Sequence, residues 1–180
     1  MPTPPFPADL VARARALKLV AFDVDGILTD GRLTFDNEGR EFKTFHARDG
    51  HGLKLLQEAG LVVALITARN SPIVDRRAQE LGIPHVIQGA RNKRQSYEQL
   101  LTTLGIHWQA GAFMGDDLPD LAILVRCGLA MTVPEAPEAI RSQCHWISPL
   151  GGGRGAVRSA VEMILECRHE WQEIVRRWQD

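Results

Sequence analysis

Five short apolar runs, 18–23 (KLVAFD), 61–67 (LVVALIT), 85–87 (HVI), 110–114 (AGAFM) and 128–133 (GLAMTV), alternate with stretches of helical length. Each run is too short and too uniformly apolar for an amphipathic surface helix, and fits a strand covered on both faces. The spacing predicts helices over 50–59, 72–81, 93–104, 119–127 and 136–142. Pro72 and Pro119 stand where a first helical turn tolerates proline. Gly60, Gly82, Gly105 and Gly128 stand just past the helical runs, where glycine ends a helix. This βαβα rhythm specifies an α/β fold with a Rossmann-like, doubly wound, mostly parallel sheet.

At 180 residues the chain is expected to form one domain, residues 1–180. With 21 basic against 22 acidic residues, it lacks the basic excess of a general nucleic-acid binder. Its longest unbroken apolar run, 61–66, is far short of the roughly 20 residues of a membrane helix, so no membrane partner is expected. Met1-Pro2-Thr3-Pro4-Pro5 has no basic segment leading into an apolar stretch. No signal peptide is therefore expected, and the Pro-rich start reads as an unstructured lead-in. Cys127, Cys144 and Cys167 are odd in number and widely spaced, which argues against a disulfide framework or a cysteine metal site. A cytoplasmic location follows as the expectation.

One segment interrupts the alternation. Residues 32–35 (RLTF), the turn Asp36-Asn37-Glu38-Gly39 and residues 41–45 (EFKTF) read as a β-hairpin flap over about 31–46. Leu33, Phe35, Phe42 and Phe45 are more apolar surface than a two-stranded flap can hide. They pack either on the parent domain or on other copies of the chain. Toward the end, Gly151-Gly152-Gly153-Arg154-Gly155 reads as a flexible turn, followed by one helical stretch from Ala156 to about Trp178. Residues 168–180, with Trp171 and Trp178, read as a helix end, a mobile tail or an arm for a neighbour.

Ligands of open α/β sheets bind beyond the carboxyl ends of the strands. The strand ends here carry Asp23-Val24-Asp25-Gly26, Thr67-Ala68-Arg69-Asn70 and Gly115-Asp116-Asp117, with Asp120 one turn on, and Lys93 opens the helix after the third strand. Crowded carboxylates repel unless a cation lies among them, and a hard ion such as Mg²⁺ takes oxygen ligands. A metal, a lysine and a hydroxyl at one site suit a phosphoryl group. Taken singly, each aspartate is as readily a helix N-cap; the ordered set on successive strand ends is what carries the chemistry. Ile27 at the fifth position excludes an EF-hand, and no Gly-Lys-Ser/Thr follows a glycine loop, which excludes a P-loop. The six histidines, His46, His51, His85, His107, His145 and His169, show no metal-ligand spacing.

Asp23-Val24-Asp25-Gly26-Ile27-Leu28-Thr29-Asp30 resembles the first motif of the haloacid dehalogenase-like (HAD) phosphatases. Thr67, Lys93 and Gly115-Asp116-Asp117-Leu118-Pro119-Asp120 match the remaining motifs in order. Thr29-Asp30-Gly31-Arg32-Leu33, Arg48-Asp49-Gly50, Gln88-Gly89 and Gly152-Gly153-Arg154-Gly155-Ala156-Val157-Arg158 resemble, more narrowly, the 3-deoxy-D-manno-octulosonate 8-phosphate (KDO 8-phosphate) phosphatases. Ala68, where that family commonly has glycine, and His46, in place of an asparagine, depart from the pattern. The resemblance implies that Asp23 is the nucleophile and forms an aspartyl-phosphate, and that Asp25 is the acid and then the base. It implies that Thr67 binds phosphoryl oxygens and that Lys93 offsets their charge and orients Asp23. Mg²⁺ is then expected on the Asp23 carboxylate, the Asp25 backbone carbonyl and Asp116. Asp117 is expected in a supporting position against Lys93 or metal-bound water, and Asp120 as a support of the loop.

Neither interval between motifs has room for a cap domain, so an open, capless site is expected. By the same resemblance, hairpins of this kind assemble a homotetramer and the tail can cover a neighbour's site. Arg69 and Arg77 are expected on the carboxylate of a sugar acid, and Arg48 and Arg154 at the site from a neighbouring hairpin or the glycine loop. The implied reaction is Mg²⁺-dependent hydrolysis of KDO 8-phosphate in lipopolysaccharide precursor synthesis. A phosphatase for a nine-carbon sialic-type acid 9-phosphate uses the same motifs. A catalytically silent tetramer-forming module is opposed by the intact set of aspartates, threonine and lysine. A phosphoprotein phosphatase requires a site mouth free of neighbouring subunits.

Overall fold

The computed structural model describes residues 6–179, and the lead-in expected over residues 1–5 lies outside them. In chain order the elements are α1 (Ala8–Ala16), β1 (Leu19–Phe22), β2 (Thr34–Phe35), β3 (Glu41–Phe42), α2 (Ala47–Glu58), β4 (Val62–Ile66), α3 (Pro72–Leu81) and β5 (His85–Ile87). They continue with α4 (Lys93–Leu104), β6 (Gly111–Met114), α5 (Leu118–Leu124), β7 (Leu129–Thr132), α6 (Glu138–Arg141), β8 (Trp146–Ile147), α7 (Ala156–Cys167) and α8 (Trp171–Arg177).

Six strands form one parallel sheet in the order β5-β4-β1-β6-β7-β8. From β1 the chain steps one way through β4 to β5, then returns to β6 and steps the other way. Right-handed crossovers therefore put α2 and α3 on one face and α4 and α5 on the other. The packing agrees: α2 lies on α7, α1 on α7, and α4 on α5. Residues of β1, β6 and β7 are buried throughout, as expected of strands covered on both faces. Phe22 and Phe113 are fully buried, and Tyr97 sets its ring edge-on to Phe113 at 5.8 Å. Burying such a side chain contributes about 1.5–3 kcal/mol.

The reversal of strand order falls between β1 and β6, which opens a crevice at their carboxyl ends. Phe22 is in register with Leu65 on one side and Met114 on the other. Asp23 and Gly115 therefore leave the sheet side by side, and Thr67 leaves β4 one residue beyond their level. The α/β, doubly wound, parallel expectation holds, and no element among the described residues forms a large cap.

Several local expectations are corrected. The single helix expected from Ala156 to about Trp178 is two helices, α7 and α8. Between them His169 takes a left-handed φ of 62°. The N–H of Glu170 bonds the Leu165 carbonyl at 2.9 Å and that of His169 the Glu166 carbonyl at 3.0 Å, a Schellman closure without glycine. Helix α2 begins at Ala47 rather than residue 50, so Gly50 lies inside it, where a Cβ would stand 2.2 Å from Arg77 Nη2. The Gly151–Gly155 run is not a free turn. A Cβ on Gly152 would meet the Gly26 carbonyl at 1.9 Å, and the Gly153 N–H donates to Ile27 O at 3.0 Å. This loop braces the segment that follows β1.

The hairpin holds only two residue pairs, Thr34 with Phe42 and Phe35 with Glu41. Asp36 closes its turn by accepting from the N–H groups of Glu38 and Arg40. Of its four apolar side chains, Phe45 packs against the core, whereas Leu33, Phe35 and Phe42 are 50%, 53% and 54% exposed.

Candidate active site

Lys93 is the first residue of α4, where the helix dipole disfavours a cation. It is nevertheless buried, with its ammonium 2.7 Å from Asp23 Oδ2 and 2.7 Å from Asp120 Oδ1. Asn92 caps the same helix end by accepting from the Gln95 N–H, so the turn closes without help from Lys93. Burial opposes the Lys93 charge, but Asp23 and Asp120 outweigh it and hold the ammonium above its ordinary pKa. Asp23 accepts the Val24 N–H at 2.7 Å through its other oxygen.

Asp120 is fully buried and has no idle oxygen. Besides Lys93 it accepts the N–H groups of Asp116 and Asp117 at 3.1 and 3.3 Å. It thus holds the β6–α5 loop and the lysine at once. Asp117, expected against Lys93 or metal-bound water, is exposed and caps α5 through the Leu118 N–H at 2.8 Å. The contact to Lys93 belongs to Asp120, because Asp117 leads the helix and Asp120, one turn on, points back beneath the loop.

Asp23, Asp25, Thr67, Lys93 and Asp116 line one cleft of about 270 Å³. Ala68 and Arg69 line it too. Thr67 is buried at the end of β4, and its hydroxyl accepts the Arg69 N–H at 3.3 Å. Three carboxylates, those of Asp23, Asp116 and Asp120, gather beside Lys93, and the excess negative charge shows. Burial, then the Asp120 charge, pushes Asp116 up to about 7. The same two causes push Asp23 up, against the pull of Lys93.

No family model matches the chain. The 3-deoxy-D-manno-octulosonate 8-phosphate phosphatase KdsC of Yersinia pestis is 37% identical over 161 residues, which cover 89% of this chain and 86% of that protein. This chain belongs to the 3-deoxy-D-manno-octulosonate 8-phosphate phosphatase family. The crystal structure of the Moraxella catarrhalis member, in complex with magnesium ion, phosphate ion and KDO, superposes with a TM-score of 0.93 at 40% identity. It matches 94% of this chain and 98% of its own. A HAD-superfamily hydrolase from Legionella pneumophila superposes with a TM-score of 0.91 at 40% identity, over 95% and 94% of the two chains.

A divalent cation fits the residues of this family member. One carboxylate oxygen each of Asp23, Asp116 and Asp120 lie within 4.8 Å of one another. Asp116 Oδ1 is buried with no hydrogen-bond partner. Asp120 accepts three hydrogen bonds, from Lys93 and two backbone N–H groups, whereas Asp23 accepts one on each oxygen and Asp116 Oδ1 none, so Asp23 and Asp116 have the greater capacity left for an ion.

The arginines divide. Arg69 lines the cleft, with Nη2 donating to Glu41 Oε1 at 2.9 Å and Nε 3.7 Å from Asp25 Oδ2. Arg77 lies over Gly50 and 5.8 Å from the Phe45 ring centre, and is not among the cleft-lining residues. Arg48 is exposed in the first turn of α2, also outside the cleft. Arg154 lines an adjoining cleft with Arg32, reached past Asp116 and Gly31.

Two residues at the site were not singled out from sequence. Glu41 and Lys43 project inward from the hairpin, Lys43 onto Asp25 and Glu41 onto Arg69 and Ser71. The signal was present as alternation: in Glu41-Phe42-Lys43 the exposed Phe42 puts its two charged neighbours on the opposite face.

Proposed function

We propose that this chain is a Mg²⁺-dependent phosphatase that hydrolyses 3-deoxy-D-manno-octulosonate 8-phosphate to the free sugar acid and phosphate, a step of lipopolysaccharide precursor synthesis. The observation that carries this reading is the Asp23–Lys93–Asp120 chain beside the unpartnered Asp116 oxygen, in a chain of this family.

Asp23 attacks phosphorus through a carboxylate oxygen that Lys93 orients. As the Asp23–phosphorus bond forms and the ester bond breaks, Asp25 gives its proton to the departing sugar oxygen. Asp25 then takes a proton from the water that hydrolyses the aspartyl-phosphate. Thr67 donates to a phosphoryl oxygen, and Lys93 offsets the charge gathered there. Asp23, the Asp25 carbonyl and Asp116 would hold Mg²⁺, which would supply positive charge to offset that of the phosphoryl group. Asp120 keeps Lys93 and the β6–α5 loop in place, and Asp117 supports that loop from the helix cap.

Arg69 is assigned the substrate carboxylate, to which its guanidinium can present two parallel N–H groups. Arg77 and Arg48 are assigned supporting roles in substrate binding that require the hairpin or a neighbouring subunit. Half-exposed Leu33, Phe35 and Phe42 support a homotetramer assembled through the hairpins, at work in the cytoplasm. Light scattering is expected to give four times the 20.0 kDa chain mass; a monomer at working concentration removes the assembly.

The test is phosphate release from KDO 8-phosphate, a nine-carbon sugar-acid 9-phosphate and a phosphopeptide, each with Mg²⁺ and with EDTA. Mg²⁺-dependent turnover of the eight-carbon acid alone is expected. Preference for the nine-carbon acid keeps the mechanism and replaces the substrate, and release from none removes the enzymatic reading.

A further inference from the structure

Lys43 has no part in the roles assigned above, yet it is the most deeply placed charge the hairpin carries. Its side chain is 2% exposed, and its ammonium lies 2.5 Å from Asp25 Oδ1 and 3.4 Å from Glu41 Oε1. Glu41 is held in turn by Arg69 Nη2 at 2.9 Å and by the Ser71 hydroxyl at 2.7 Å. Two cations, Lys43 and Arg69, thus face two anions, Asp25 and Glu41, so the quartet is neutral and tolerates its partial burial. Burying a lysine costs several kcal/mol unless it is paired, and fixing its long side chain adds rotamer entropy. A hairpin of two residue pairs has no need of such a contact to close, because Asp36 already closes its turn.

The contact is one-sided. Lys43 bonds Oδ1 of Asp25, and Arg69 Nε approaches Oδ2 at the longer distance of 3.7 Å. We infer that Lys43 is a positioning residue for Asp25: it fixes the carboxyl group by Oδ1 and leaves Oδ2 to exchange the proton with the leaving oxygen. The hairpin then does more than present apolar surface, because the placement of the acid depends on its being folded against the cleft. This inference rests on the acid–base role proposed for Asp25.

The consequence is specific to the leaving group. A sugar alkoxide must receive a proton as it departs, whereas p-nitrophenolate leaves without one. The experiment is single-turnover release of the leaving group from KDO 8-phosphate and from p-nitrophenyl phosphate. It compares the wild type, Lys43→Met, Lys43→Gln and Asp25→Asn at saturating Mg²⁺, with thermal unfolding as a check on folding. Lys43→Met is expected to slow release of the sugar by about tenfold to hundredfold and of nitrophenolate by less than about threefold, matching the selectivity of Asp25→Asn. Lys43→Gln, which keeps an N–H donor for Oδ1, is expected to fall between, and it decides the matter alone if Lys43→Met does not fold. Equal losses on both substrates, or none on either, overturn the positioning role and leave Lys43 a hairpin anchor. If Asp25→Asn shows no leaving-group selectivity, the acid–base reading of Asp25 fails, and the inference with it.

Discussion

Asp117 and Asp120 are the same residue type three positions apart, and their surroundings give them different work. Asp117 sits in solvent at the head of α5, where an N-cap is worth about 0.5–2 kcal/mol. Asp120 is buried with Lys93 and two backbone N–H groups, and removing one partner of a buried ion pair costs about 3–5 kcal/mol. Asp120→Ala is therefore expected to lower stability well beyond Asp117→Ala in denaturant unfolding, and to depress turnover by freeing Lys93. Equal losses from the two substitutions contradict the assignment. From sequence, the family resemblance put Asp117 against Lys93 or metal-bound water and Asp120 under the loop; which of them reaches the lysine depends on where α5 starts, a detail of one or two residues.

At the scale of elements, α3 and α4 were legible to the residue. Pro72 opens α3, and Gly82 and Gly105 close α3 and α4 in the left-handed conformation that glycine adopts freely. The break between α7 and α8 was not legible, because the residue that takes the left-handed turn is His169. Strand β8 is two residues long, too short for alternation to register. Helix α1 follows a proline-rich start, and its buried face is only Leu10 and Ala14. The inward face of the hairpin was hidden for another reason: its phenylalanines drew the reading toward apolar contacts.

The C-terminal helix carries a test of its own. Arg158 Cζ lies 5.2 Å from the Trp171 ring centre, and Trp178 meets His51 edge-on at 5.3 Å, so α8 docks on its own chain. Trp171→Ala is expected to lower stability by about 1–3 kcal/mol in thermal or denaturant unfolding while kcat/KM stays unchanged. A fall in kcat/KM without loss of stability shows instead that the tail serves a neighbouring site.

At the scale of the whole molecule, the fold concentrates acidic groups at the switch point and relies on a cation to relieve them. Asp116, raised to about 7, and Asp23, also raised, bind protons more tightly folded than unfolded. Their contribution to metal-free stability is thus fully present below the ordinary carboxylate range and lost as pH rises through about 7. Mg²⁺ competes with those protons, so its affinity falls by up to about tenfold per pH unit below 7 for each proton displaced. The rise in unfolding temperature on adding Mg²⁺ is expected to be small at pH 5.5 and large at pH 8; an equal shift at both contradicts the shared site.

The central claim is that Asp23 in this cleft makes and breaks the bond to phosphorus. It is tested most directly by phosphate release from KDO 8-phosphate at saturating Mg²⁺, comparing the wild type with Asp23→Asn. The substitution leaves Lys93 paired with Asp120, so the variant is expected to unfold at a similar temperature and to release no phosphate above background. Turnover retained in the folded variant contradicts the account.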